Sequence, residues 1–223
     1  MAEFHATIVD FVTSIEVRFL EPIPFDQPAL QYLAKKMTSP GGLGISPANV
    51  RLHLEDAMFG YRLVGRLFGE NGRIERDSEK VRLHLGGARS KADLEFISQV
   101  MALYHREVAF EMAPEAVFSP YFHAQFSDQE SRDKFLDQFR LLDETVRPGF
   151  FGHLKVADWP ETVRVQVEQS YLYPHSIFVT LQTTYANSQE NWEVFLPKLI
   201  GVCGRATRLL SLTVDQLTES LDS

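Results

Sequence analysis

Cysteine is almost missing: Cys203 is the only one in 223 residues. A disulfide framework and a thiolate zinc site are therefore both excluded within one chain. Long apolar runs are missing too. No stretch approaches the roughly 18 uninterrupted apolar residues of a membrane-crossing helix. Positive charge is in short supply, with 22 Lys and Arg against 30 Asp and Glu and a net charge of −8. Nucleic-acid binding draws most of its affinity from neutralised phosphates, and an anionic membrane makes a similar demand. Neither is an expected partner. The first residues include Glu3, Asp10 and Glu16 and lack the basic-then-apolar order of a secretion signal, so a cytoplasmic location is expected.

Catalytic signatures are also absent. There is no Gly-x-Ser-x-Gly elbow, and Gly41-Gly42-Leu43-Gly44 lacks the Lys-Ser/Thr of a phosphate loop. The seven histidines, His5, His53, His84, His105, His123, His153 and His175, show no zinc-binding spacing, so no metal or cofactor is expected. Cys203 lies mid-helix among Gly201, Val202 and Gly204, a setting for a buried, inert thiol rather than a nucleophile. Those small residues suit close packing of another element.

What is present is aromatic surface, with 17 Phe, 7 Tyr and 2 Trp, and clear periodicity. Ile15, Val17 and Phe19 alternate with Glu16 and Arg18, predicting a half-buried strand over 6–20. Asp26 is placed to cap a helix with Leu30, Leu33 and Met37 on one face and Pro28 in its first turn. Strands are predicted over 49–68 and 73–85, joined by Asn71-Gly72 as a two-residue turn. Ser90 with Asp93 opens a helix carrying Leu94, Ile97, Met101 and Tyr104.

The second half reads alike. A strand over 112–126 is interrupted by Pro114 and Pro120. Ser127 with Glu130 forms a capping box before Phe135, Leu136, Phe139 and Leu142. A β region spans 149–185, with Val163, Val165 and Val167 alternating against polar residues and a turn at Tyr173-Pro174-His175-Ser176. Asn187 with Glu190 caps a last helix whose stripe is Trp192, Phe195, Leu199, Val202, Ala206 and Leu209, with Pro197 expected to kink it or shift its start.

The fold class is therefore α+β: antiparallel sheets with helices on one face, in two β-α-β-β-α halves over 1–110 and 111–223, the second with an extra short strand, packed as one structure. In element order alone, this resembles two helix-grip or TBP-like units in tandem. Such a likeness implies a fold and carries no function.

The candidate site is the first hairpin. With Asn71-Gly72 as the loop, Glu70 pairs with Arg73, Phe59 faces His84, Tyr61 faces Arg82, Leu63 faces Lys80 and Leu67 faces Arg76. Met58, Val64, Val81, Leu83 and Leu85 form the core face. Val-Arg-Leu-His-Leu occurs at 50–54 and again at 81–85, placing Arg51 and His53 on the non-core face. The expected binding surface is thus Arg51, His53, Phe59, Tyr61, Leu63, Arg82 and His84, large apolar groups opposed to cations. A non-catalytic interaction protein is the reading, self-associating or an adaptor for a protein partner. The alternatives are a binder of a small acidic amphiphile, with an apolar pocket and a cationic mouth at Arg51 or Arg82, and an enzyme with a spatially assembled His and carboxylate.

Overall fold

The 15 residues of β1 (Phe4–Arg18) have enough β-branched and aromatic character to run as one long strand, about 50 Å at the usual strand rise. They act as the seam of the sheet. In the computed structural model, which describes residues 3–19, 21–22, 26–42, 44–57, 60–67, 71–87, 116–140, 148–185 and 192–218, β1 is followed by α1 (Gln27–Thr38) and a 3-10 turn at Pro47–Asn49. Four strands come next: β2 (Val50–Ala57), β3 (Gly60–Leu67), β4 (Gly72–Arg76) and β5 (Lys80–Leu85). The later elements are β6 (Ala116–Phe118), β7 (Tyr121–Gln125), α2 (Gln129–Asp137), β8 (Phe150–Lys155), β9 (Thr162–Gln169), β10 (Ser176–Tyr185), α3 (Trp192–Leu209), β11 (Leu212–Val214) and α4 (Asp215–Thr218).

The strands form one sheet in the order β2-β3-β4-β5-β1-β6-β10-β9-β8. Pairing is antiparallel except where β11 runs parallel to β1. Residues Thr13–Arg18 of β1 pair with β5, whereas Thr7–Val12 pair with β7 across a bulge between Ile8 and Asp10. The α+β class and the antiparallel sheet are as predicted from sequence. Val163, Val165 and Val167 are at most 1% exposed, and the turn before Ser176 is where it was predicted, with His175 at positive φ. The helices add Leu33, Met37, Phe135, Leu136, Val202 and Ala206 to the same buried cluster as the inward strand residues.

Two expected long strands are in fact four short ones. A single strand over 49–68 would extend about 66 Å with no partner of that length, so the chain folds back on itself. Ala57 pairs with Gly60, and Leu67 pairs with Gly72, which makes the connection four residues rather than Asn71-Gly72 alone. Gly72 is the first residue of β4, and the Asn71 carbonyl accepts from Gly86 N–H. The missed turn is at Asp77, whose Oδ1 accepts from the backbone N–H of Glu79 at 2.8 Å and Lys80 at 2.9 Å. A side chain that mimics a backbone turn reverses the chain without glycine.

Two of the predicted helix starts fall on described residues. Asp26 caps α1, accepting from Ala29 N–H. The cap of α2 is Asp128, accepting from Ser131 N–H at 2.7 Å, one residue after the predicted Ser127, which instead donates to Asp128. Helix α3 runs through Pro197. The predicted helix opening at Ser90 and the cap at Asn187 lie outside the described residues.

Candidate functional site

Strand alternation sorts β2–β5 and the end of β1 into two faces. Inward, Leu52, Gly65, Ile74, Leu83 and Ile15 align in register across five strands. Gly65 belongs there because a Cβ would approach the Leu52 side chain to 2.3 Å and Ile74 to 2.8 Å. Leu63 is fully buried beside Arg76, which is 8% exposed and lies 5.2 Å from the Phe19 ring centroid.

Outward, most of the side chains are charged. One transverse line runs Arg51, Arg66, Arg73, His84 and Ser14. The next runs His53, Val64, Glu75, Arg82 and Glu16. A third joins Glu55 to Arg62, and at the β5 end Lys80 to Arg18. The two Val-Arg-Leu-His-Leu copies sit in β2 and β5, each with its leucines inward. The strands run in opposite senses, so Arg51 shares a line with His84 and His53 shares one with Arg82.

Two carboxylates bind this face together. Glu16 accepts from Arg82 Nε at 2.9 Å and from its terminal nitrogen. It also contacts Arg18 at 3.1 Å and Lys80 at 3.8 Å. Burial pushes the Glu16 carboxyl up, but the hydrogen bonds from Arg82 and Arg18 outweigh it and hold the group below the ordinary carboxylate value. Glu75 pairs with Arg73 and lies 3.9 Å from Arg62. His84 is half-buried between these groups. Burial, reinforced by Arg82 and Arg73, keeps its imidazole below its usual pKa against the opposing charges of Glu75 and Glu16.

The predicted site residues separate accordingly. Arg51, His53, Arg82 and His84 lie on this outer face, His53 sharing a 3.2 Å contact with Glu55. Tyr61 is 43% exposed, but it has inward parity and pairs with Asp56 on β2, not with Arg82. Leu63 is in the core and pairs with Arg76, not Lys80. Phe59 lies outside the described residues. The surface is therefore cationic rather than mixed apolar and cationic. Sequence reasoning misses Arg62, Arg66, Arg73 and Glu75 because it makes β4 continuous with β5, and it misses Glu16 because no local pattern places β1 beside β5. The Asp77-Ser78 turn was the available signal.

Two other features bear on the alternatives. His123 is 6% exposed, its ring 4.9 Å from both Tyr173 and Phe178. Its Nδ1 lies 2.9 Å from Ser170 Oγ, and Asp10 is its cross-strand neighbour. Ser170 Oγ already accepts from Leu172 and Tyr173 N–H, so its proton goes to the imidazole and the pair fastens the β9–β10 turn. The second feature is a cleft of about 430 Å³ by β8, lined by Phe150, Phe151, Gln166, Glu168 and Tyr171 among others. Neither Arg51 nor Arg82 reaches it.

Cys203 is fully buried and its thiol is pushed up to about 12 by desolvation. The adjacent Gly204 serves packing within the chain: a Cβ there would come within 2.7 Å of the Leu217 carbonyl in α4. Among the described residues no helix is long and apolar enough to cross a membrane, and no group of three His, Cys, Asp or Glu side chains is placed to hold a metal. No protein-family model and no curated protein matches the chain.

Proposed function

We propose that the protein is a non-catalytic interaction protein that docks a protein, a second copy or a different chain, through the outer face of β2–β5 and the end of β1. Charge placement supports the reading. Seven Lys and Arg side chains face outward here against three carboxylates, on a chain whose net charge is −8. Arg51, Arg66 and Arg73 stand directly opposite one another across β2–β4, with Glu75 pairing Arg73, and a partner's anions would add to that offset of like charges. The halves 1–110 and 111–223 are taken as tandem units of related build, and the reduced cytoplasm suits a lone buried thiol.

Native mass spectrometry of the wild type and of the Arg51→Ser/Arg73→Ser variant tests this. The expected result is an assembly heavier than one 25.4 kDa chain that falls to a single chain in the variant. An assembly whose mass is indifferent to both substitutions removes this face from the interface, and a single-chain mass in the wild type removes the second copy and leaves a different chain as the partner.

A further inference from the structure

We infer that the cleft beside β8 binds an alkylammonium group, the head of a lysine side chain or of a small amine, against Phe151, Tyr171 and the Glu168 carboxylate. The site lies outside the β2–β5 face, so it stands or falls apart from the reading above. Among the described lining residues Glu168 is the one that carries charge. It is exposed, and among the described residues its carboxylate has no hydrogen bond or ion pair. A bound cation supplies that partner.

Strand register sets the geometry. Phe151 on β8 stands opposite Gln166 on β9, and Glu168 is two residues further along β9 on the same face. Such diagonal neighbours have Cβ atoms about 7–8 Å apart. That gap suits a cation touching ring and carboxylate together, since an ammonium is attracted within about 6 Å of a ring centroid. Phe151 already takes one cation, with the Arg164 guanidinium 4.9 Å from its ring centroid. Arg164 lies outside the cleft, four residues from Glu168 along β9, and Phe151 remains 59% exposed.

Gly149 keeps the space before Glu168 open. A Cβ there would meet the Val167 carbonyl at 2.8 Å and lie 3.9 Å from the Glu168 Cα. The backbone carrying Tyr171 is ordered in advance, because Ser170 Oγ accepts from Leu172 and Tyr173 N–H and bonds His123 Nδ1. Less entropy is then lost on binding. Pro148, Phe150 and Val167 complete an apolar lining that suits the methylene stem of the ligand. An anion in the same place would meet Glu168.

The test is a titration of the full chain with n-butylammonium, read by amide NMR at 20 and 200 mM salt. Butanol and butyrate are the neutral and anionic controls, and an acetylated Gly-Lys-Gly amide presents a protein-borne lysine. Saturable shifts are expected at Gly149, Phe151, Gln166 and Glu168 with the amine alone, weakened by salt. Glu168→Gln should weaken binding about two- to five-fold, and Phe151→Leu by about the same factor, with melting curves close to wild type. Tighter binding of the peptide assigns the ammonium to a partner's lysine, and equal or weaker binding of the peptide assigns it to a small amine. Equal shifts with butanol reduce the cleft to an apolar surface and overturn the inference. Tighter binding of butyrate, amine binding indifferent to both substitutions, or no saturable shift overturns it too.

Discussion

Leu63 and Tyr61 show how much a single residue's surroundings decide. They are two positions apart on one strand and share a face, yet Leu63 is fully buried and Tyr61 is 43% exposed near the strand end. Leu63→Ala removes packing against a closed core, and urea denaturation is expected to show a loss of about 2–5 kcal/mol. Tyr61→Ser should stay within about 0.5 kcal/mol of wild type. Equal effects would contradict the assigned faces. The side-chain types at both positions suit a strand, and neither one states which side of the sheet it meets. That depended on the register of β3, which was legible only after the Asp77 turn was placed.

At the scale of elements, the β9–β10 turn is held onto β7 by His123. Burial lowers this imidazole's pKa, with Asp10 pulling the other way, and burial lowers that of His84 too. For a depressed histidine the unfolded chain takes the proton first. The stabilisation is complete above the unfolded value of about 6.5 and is lost as pH falls through the lower folded value. Melting temperature is therefore expected to fall between pH 7 and pH 5, by roughly 2–4 °C for each kcal/mol lost. His123→Phe keeps a ring between Tyr173 and Phe178, and it should flatten that slope while costing the Ser170 hydrogen bond at every pH. A slope unchanged in the variant would assign the acid sensitivity elsewhere. The turn was legible in Tyr173-Pro174-His175-Ser176; the ring stack was not, because Tyr173 and His123 stand 50 positions apart in the chain.

For the whole molecule, β1 is the constraint. Its second half pairs with β5 and β6, and its first half pairs with β7 from mid-chain and with β11 from much later in the sequence. A fragment of residues 1–110 leaves Thr7–Val12 without β7 and exposes Ile8 and Phe11, which are 5% and 1% accessible in the intact chain. Expressed alone, it should give an uncooperative melt and bind a hydrophobic dye, and mixing it with 111–223 should restore a cooperative transition. A sharp, two-state melt of 1–110 by itself would show that the seam is dispensable.

Local patterning was sufficient for what depends on nearest neighbours. Alternation at 163–168, the Asp26 cap and the Leu33 and Met37 stripe each express a period or a hydrogen bond within a few residues, so sequence alone determined the α+β class, the start of α1 and the outward parity of Arg51, His53, Arg82 and His84. Tertiary structure alone decided which strands lie side by side. The order β5-β1-β6 joins residues roughly 60 to 100 positions apart, a choice made by the total burial of a shared core. That placement lines up Arg51, Arg66 and Arg73 and surrounds Glu16 with three cations.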